Sequence, residues 1–190
     1  MIGPAIAGGR GEDAEALVVA VDWRPPVGPP TPLCHERANL VRRFVESLVW
    51  LRHHPRCLIT VAIQIGREDG GTLAAALNAT VAALLDAGVP LRGLAAAAAV
   101  AAAPGSPARF VVDPNGADEA EARACATAAA PLPALGWGED AAAWGRLPGG
   151  VAAPLLVAHA EGPLSLAETA EALALAAAAS ARAGAVIRGG

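Results

Sequence analysis

The residues with the clearest chemical use lie in Gly66-Arg67-Glu68-Asp69-Gly70-Gly71-Thr72. A strand that empties through paired glycines into a Thr-led helix gathers several unpaired backbone N–H groups at one point, and such groups can hold an anion. Glycine permits the tight backbone that close approach requires. Thr72 is expected to be the N-cap, its hydroxyl accepting from an N–H of the first turn. A turn of this kind is also the ordinary way for a strand to end and a helix to begin, so Gly70, Gly71 and Thr72 form a candidate anion turn and not a phosphate site by themselves.

Two elements must position that turn. The alternating run Leu58-Ile59-Thr60-Val61-Ala62-Ile63-Gln64-Ile65 reads as a strand, and Leu73 to Ala87 reads as an apolar helix through Leu77, Val81, Leu84 and Leu85. Upstream, Ala16 to Trp23 is a β-branched strand that ends where Pro25-Pro26 forbid further pairing. Thr31-Pro32 then offers an N-cap with proline at the first helical position. Between Glu36 and His53, Leu40, Phe44 and Leu48 recur at a spacing of four, as do Val41, Val45 and Val49. These rows predict a helix with a broad buried face, ended by Pro55.

Downstream, Leu94 to Ala103 and Ala108 to Asp113 flank Pro104-Gly105-Ser106-Pro107, a hairpin signature. An alanine run prefers helix locally, so the first of these is read as a strand on context. Asp113-Pro114-Asn115-Gly116 is a turn, and Glu121 to Ala130 fits either helix or strand. Residues 135–150 read as an irregular loop or insertion. Leu155 to Ala160 is a strand, and Ser165-Leu166-Ala167-Glu168 is a capping box opening a helix to about Ala183. Strands and helices alternating around one core give an α/β or α+β class, with residues 1–190 as a single domain.

Composition removes several function classes. The chain has 190 residues, a net charge of -4, no lysine and 14 arginines, a pattern that GC-rich codons would favour. That charge excludes a protein gripping nucleic acid over its whole surface and leaves a regional arginine cluster as the means of any RNA contact. Cys34, Cys57 and Cys125 are odd in number and widely spaced, which suits a reduced compartment. No metal site is expected, because the adjacent His53 and His54 diverge and no third ligand lies at suitable spacing. Leu94 to Pro104 is too short to span a bilayer, so no membrane partner is expected.

Taken together, Leu40-Val41-Arg42-Arg43 to Glu46, His54-Pro55-Arg56, Glu68-Asp69-Gly70-Gly71-Thr72, Leu77-Asn78-Ala79, Leu84 to Arg92 and Val112-Asp113-Pro114 resemble the RNase PH-type 3′-exoribonuclease domain. Gly3-Pro4-Ala5 and the Val21 to Pro29 strand and loop extend the resemblance over nearly the whole chain apart from 135–150. Within that family the chain is most similar to eukaryotic exosome ring subunits of the component 5 or component 6 kind. The resemblance implies an α+β RNase PH-like βαβα domain (ribosomal protein S5 domain 2-like). Family members carry a basic segment and several strands before the Gly-Pro motif, which here stands at Gly3-Pro4. The expectation is therefore a domain lacking its N-terminal strands, through a truncated start or through a sheet edge that assembly covers.

The departures bear on chemistry. The resemblance implies an arginine directly after Gly-Gly-Thr in active phosphorolytic members, where its fork holds the attacking phosphate. Here that residue is Leu73. It also implies two Asp six residues apart in the segment after the Asp113 strand. Aligned on Glu121-Ala122, those positions are Ala117 and Arg123, with Asp118 and Glu119 nearby as solvated turn acids. No catalytic residue, cofactor or metal is then expected, and Gly70, Gly71 and Thr72 become a vestigial anion turn. Arg42 and Arg43 are the RNA-contact candidates, because they resemble the basic pair that lines the ring channel. As alternatives, they are two exposed positions on an amphipathic helix.

The implied function is a non-catalytic subunit of the exosome ring, supporting 3′-to-5′ RNA processing and degradation in nucleus, nucleolus and cytoplasm. Implied partners are other RNase PH-like exosome subunits, RNA-binding cap subunits and RNA. The alternative is a phosphate-dependent 3′-exoribonuclease acting alone or as a dimer.

Overall fold

The computed structural model describes residues 4–6, 16–105, 109–132 and 155–189. The loop expected at 135–150 lies outside them. The chain divides into two compact units, the first comprising residues up to Arg67 together with Ala79–Arg92 and the second Glu68–Asn78 together with Gly93 onward.

In the first unit, β2 (Val18–Arg24) and β3 (Cys57–Gln64) pair in parallel, Val18 opposite Leu58 and Arg24 opposite Gln64. β1 (Pro4–Ile6) pairs antiparallel with the other side of β3. A parallel pair needs a crossover, and α1 (Pro32–Leu48) supplies it. Thr31 caps α1 as expected, its side chain accepting from the Cys34 N–H, with Pro32 at the first helical position. Val41, Phe44, Val45 and Leu48 are wholly buried, so the two apolar rows do form one face.

The helix was expected to continue to His53 but stops at Leu48. Val49 turns extended and makes an isolated antiparallel bridge with Leu91, and the Leu48 carbonyl accepts from the Arg92 N–H at 2.7 Å. A buried β-branched residue gains more from this pairing than from another helical turn. Leu51–His53 then form a short 3-10 turn before β3.

The second unit is built on an antiparallel sheet in the order β5-β4-β6-β7. Its strands are β4 (Ala95–Ala102), β5 (Phe110–Val112), β6 (Ala124–Pro131) and β7 (Val157–Glu161). The alanine run is thus a strand, and the segment that fitted either pattern is one too. Burial along almost the whole of both strands overrides alanine's local preference for helix. α4 (Leu166–Gly189) opens with the expected Ser165–Glu168 capping box. Its Ala172, Leu173 and Ala176 pack with Val100, Ala126 and Ala128 of the sheet.

α2 (Thr72–Asp86) begins in this unit. β5 covers β4 only from Val100 to Ala102, and the Asn78 amide completes the edge beyond it. Asn78 donates to the Ala97 carbonyl at 2.9 Å and accepts from the Ala97 N–H at 2.8 Å, so one side chain fixes α2 against β4.

Candidate functional site

The turn leading into α2 is formed by Gly70 and Gly71, both at positive φ of 85° and 57°. The expected cap is displaced by one residue. Thr72 is already helical, and the Gly71 carbonyl accepts the first helical bond, from Ala75 N–H at 3.0 Å. Gly70 has a packing reason for its identity, since a Cβ there would overlap the Pro114 carbonyl and lie 2.6 Å from the Asn115 carbonyl carbon. The paired glycines therefore bring two backbone segments together, whatever else they do.

The Gly71 N–H, the group best placed to hold an anion, donates to Glu119 Oε1 at 2.8 Å. Glu119 lies on α3 (Gly116–Glu121) and is only part-exposed. A capping box fixes that short helix. Asn115 Oδ1 accepts from the Ala117 and Asp118 N–H groups, each at 2.9 Å, and the Asp118 carboxylate accepts from Asn115 N–H at 3.1 Å. Neither acid is therefore the solvated turn residue expected from sequence. Asp69 joins the same turn, accepting from Gly116 N–H at 3.4 Å.

The two positions aligned on Glu121-Ala122 hold no acid. Ala117 is exposed on the first turn of α3, and Arg123 is an ion-pair partner of Glu168 at the start of α4. Asp113 and Glu119 are likewise six residues apart, and these two converge on Gly71. Asp113 Oδ1 would lie 3.8 Å from a Cβ at Gly71, and its own φ of 57° aims the chain into the Pro114-Asn115 turn. Leu73 is 6% exposed, a core residue where phosphate chemistry would require a cation.

Arg123 and Glu168 make a tight structural join. Glu168 accepts from Arg123 and from the Ser165 N–H and hydroxyl, both at 2.9 Å. The Ser165 backbone hydrogen bond first, and then Arg123, hold its carboxyl down to a pKa of about 2.

In the first unit, the RNA-contact candidates behave differently from one another. Arg42 pairs with Glu46 at 2.7 Å along α1, whereas Arg43 is exposed with no ion pair among the described residues. The adjacent histidines diverge as expected. His54 lines a pocket of about 200 Å³ with Leu17, Cys57, Ile59 and Val89, while His53 sets its ring edge against Trp50.

Residues 8–90 match the 3′ exoribonuclease family, domain 1. Over 117 residues the chain is 33% identical to the exosome complex exonuclease RRP46 homolog of Arabidopsis thaliana, covering 62% of this chain and 48% of that protein. It is 34% identical over 140 residues to human exosome complex component MTR3, covering 67% of this chain and 50% of that protein. The chain spans about half the length of these curated relatives. The crystal structure of rice (Oryza sativa) Rrp46 superposes with a TM-score of 0.79 at 26% identity, covering 98% of this chain and 79% of that one. Residues 8–90 are therefore an RNase PH-type domain of the 3′ exoribonuclease family, and the curated relatives the chain matches are named for the exosome complex.

Proposed function

We propose that this chain is a non-catalytic RNase PH-type subunit of an exosome complex, supporting 3′-to-5′ RNA processing and degradation. One observation carries the reading: the Gly71 amide at the head of α2 is already bonded to the Glu119 carboxylate. A phosphate arriving there would have to displace a carboxylate, with Asp69 and Asp113 nearby, and would find the buried Leu73 in place of a guanidinium. Like charges without a counter-cation disfavour the anion that phosphorolysis needs.

In this reading the partners are other RNase PH-like subunits, RNA-binding cap subunits and RNA. Arg42 and Arg43 contact the strand, and the protein works in nucleus, nucleolus and cytoplasm. The second reading, a phosphate-dependent 3′-exoribonuclease, is favoured by the convergence of Asp113 and Glu119 on Gly71, since an acid pair at that spacing is what such chemistry uses. The test is incubation of the purified chain with labelled single-stranded RNA, with and without phosphate. No nucleoside diphosphate release is expected, and substantial phosphate-dependent release would overturn the non-catalytic reading. Co-purification of other RNase PH-like chains with a tagged copy tests the assembly.

A further inference from the structure

Trp50 stands at the end of α1 with 41% of its surface exposed, in a chain with only four tryptophans. The Arg92 guanidinium lies 4.8 Å from its ring centroid, and the His53 ring meets it edge-on at 5.1 Å. The Leu48–Arg92 backbone hydrogen bond and the Val49–Leu91 bridge hold the two segments that carry this stack. The platform is therefore prebuilt and does not depend on a chance meeting of surface side chains.

The two chain segments that carry the platform are basic. No Asp or Glu occurs between Glu46 and Glu68, a stretch that carries Arg52, His53, His54 and Arg56, and none occurs between Asp86 and Asp113, which flank Arg92. Arg52, His53, Arg56 and Arg92 are all exposed. In a chain of net charge -4 this is a local reversal. Arg56 adds a second kind of evidence, because it holds φ at 58° where a glycine would sit without strain. Such an outlier makes its exposed side chain a candidate for use.

We propose that the Trp50–Arg92 stack, with Arg52, His53 and Arg56 beside it in the chain, is a docking surface for single-stranded nucleic acid. The ligand chemistry is a flexible polyanion bearing flat rings. The bases stack on the indole or on the outer face of the Arg92 guanidinium, and the arginines follow the phosphates. An acidic protein segment would use the charges but not the stack. These residues differ from the Arg42 and Arg43 pair, and the inference stands whether or not the exosome reading holds.

The test is fluorescence anisotropy of a labelled oligouridine of about ten nucleotides with the full chain, over a series of salt concentrations. Trp50→Ala is expected to weaken binding about tenfold and Trp50→Phe to retain most of it, as loss of one stacking face predicts. Arg52→Ala and Arg56→Ala are each expected to lower the salt slope by about 0.7. Should Trp50→Ala fail to fold, Arg92→Ala and Arg56→Ala carry the test, since both side chains are exposed. Unchanged affinity and slope in those variants would overturn the proposal. So would binding lost with Arg42→Ala and Arg43→Ala but kept with Trp50→Ala, a result that leaves the exosome reading intact. Competition by polyglutamate as strong as by unlabelled RNA would also overturn it, showing that the patch reads charge alone.

Discussion

Glu119 and Gly71, 48 residues apart in the chain, are joined by a single 2.8 Å hydrogen bond in which a carboxylate caps the head of α2 from another element. A negative charge at that position is favoured by the unpaired amides of the first turn. Glu119→Ala should destabilise the protein by about 1 to 2 kcal/mol in urea unfolding, through the freed amide and the lost charge. The thermal midpoint of the unmodified chain should be indifferent to added phosphate, whereas that of the variant should rise. Equal responses of the two proteins would show that Glu119 does not occupy an anion position.

Leu73→Arg alone should not create a phosphate site. The side chain it replaces is buried, so the guanidinium must be desolvated or the helix start must rearrange. A loss of about 2 to 4 kcal/mol is expected in chemical denaturation, with no gain in nucleoside diphosphate release. A variant as stable as the original that binds phosphate would contradict the burial argument.

Asn78 is expected to be intolerant of even isosteric change. Asn78→Asp keeps an acceptor for the Ala97 N–H but sets a carboxylate oxygen against the Ala97 carbonyl, so it should cost about 2 kcal/mol or more near neutral pH. Lowering the pH protonates that carboxyl and restores a donor, so the deficit should shrink in acid. A pH-independent deficit in urea unfolding would show that the bidentate contact is not its source.

Glu168 sets an acid-side limit on the second unit. Its carboxyl is held at about 2, below its ordinary value of 4.5, because the Ser165 amide and Arg123 bond to the ionised form. A group with a depressed folded pKa contributes its full stabilisation above the unfolded pKa, and that contribution is lost as pH falls from about 4.5 towards 2. Glu168→Gln should flatten the stability profile across that window. A variant profile parallel to the original would remove Glu168 as its cause.

Gly70 and Gly88 offer a matched comparison. Both hold positive φ, 85° and 66°, but a Cβ at Gly88 meets open space whereas one at Gly70 overlaps the Pro114 carbonyl. Gly88→Ala should cost about 1 kcal/mol, the ordinary penalty of a left-handed residue, and Gly70→Ala clearly more. Similar losses in thermal melts would mean that the Pro114-Asn115 turn moves aside without resistance.

Local rules were enough for the elements whose signals are chemical. Thr31-Pro32 and Ser165–Glu168 announce helix starts through their own hydrogen bonds, and β3 and the buried rows of α1 follow from periodicity. Where tertiary contacts compete with local preference, the sequence was a poorer guide. Nothing local to Val49 predicts its bridge with Leu91, and the cap of α2 belongs to Gly71 because Gly70 is held against a turn more than forty residues away. The place of Glu119 was hidden for a related reason. Glu119 reads as an ordinary turn residue until the fold brings it to the Gly71 amide, with the Asp113 carboxylate near the same glycine.

The contact of α4 with the sheet uses alanines from both sides, Ala172 and Ala176 against Ala126 and Ala128. A side chain with no rotamers loses no rotameric freedom on burial, and it fills so little space that the backbones must approach closely. Every substitution there except glycine is an enlargement. Tolerance at this interface is therefore set by how far two backbones can separate and not by how well neighbours can repack, a strictness that larger, more adaptable cores do not share.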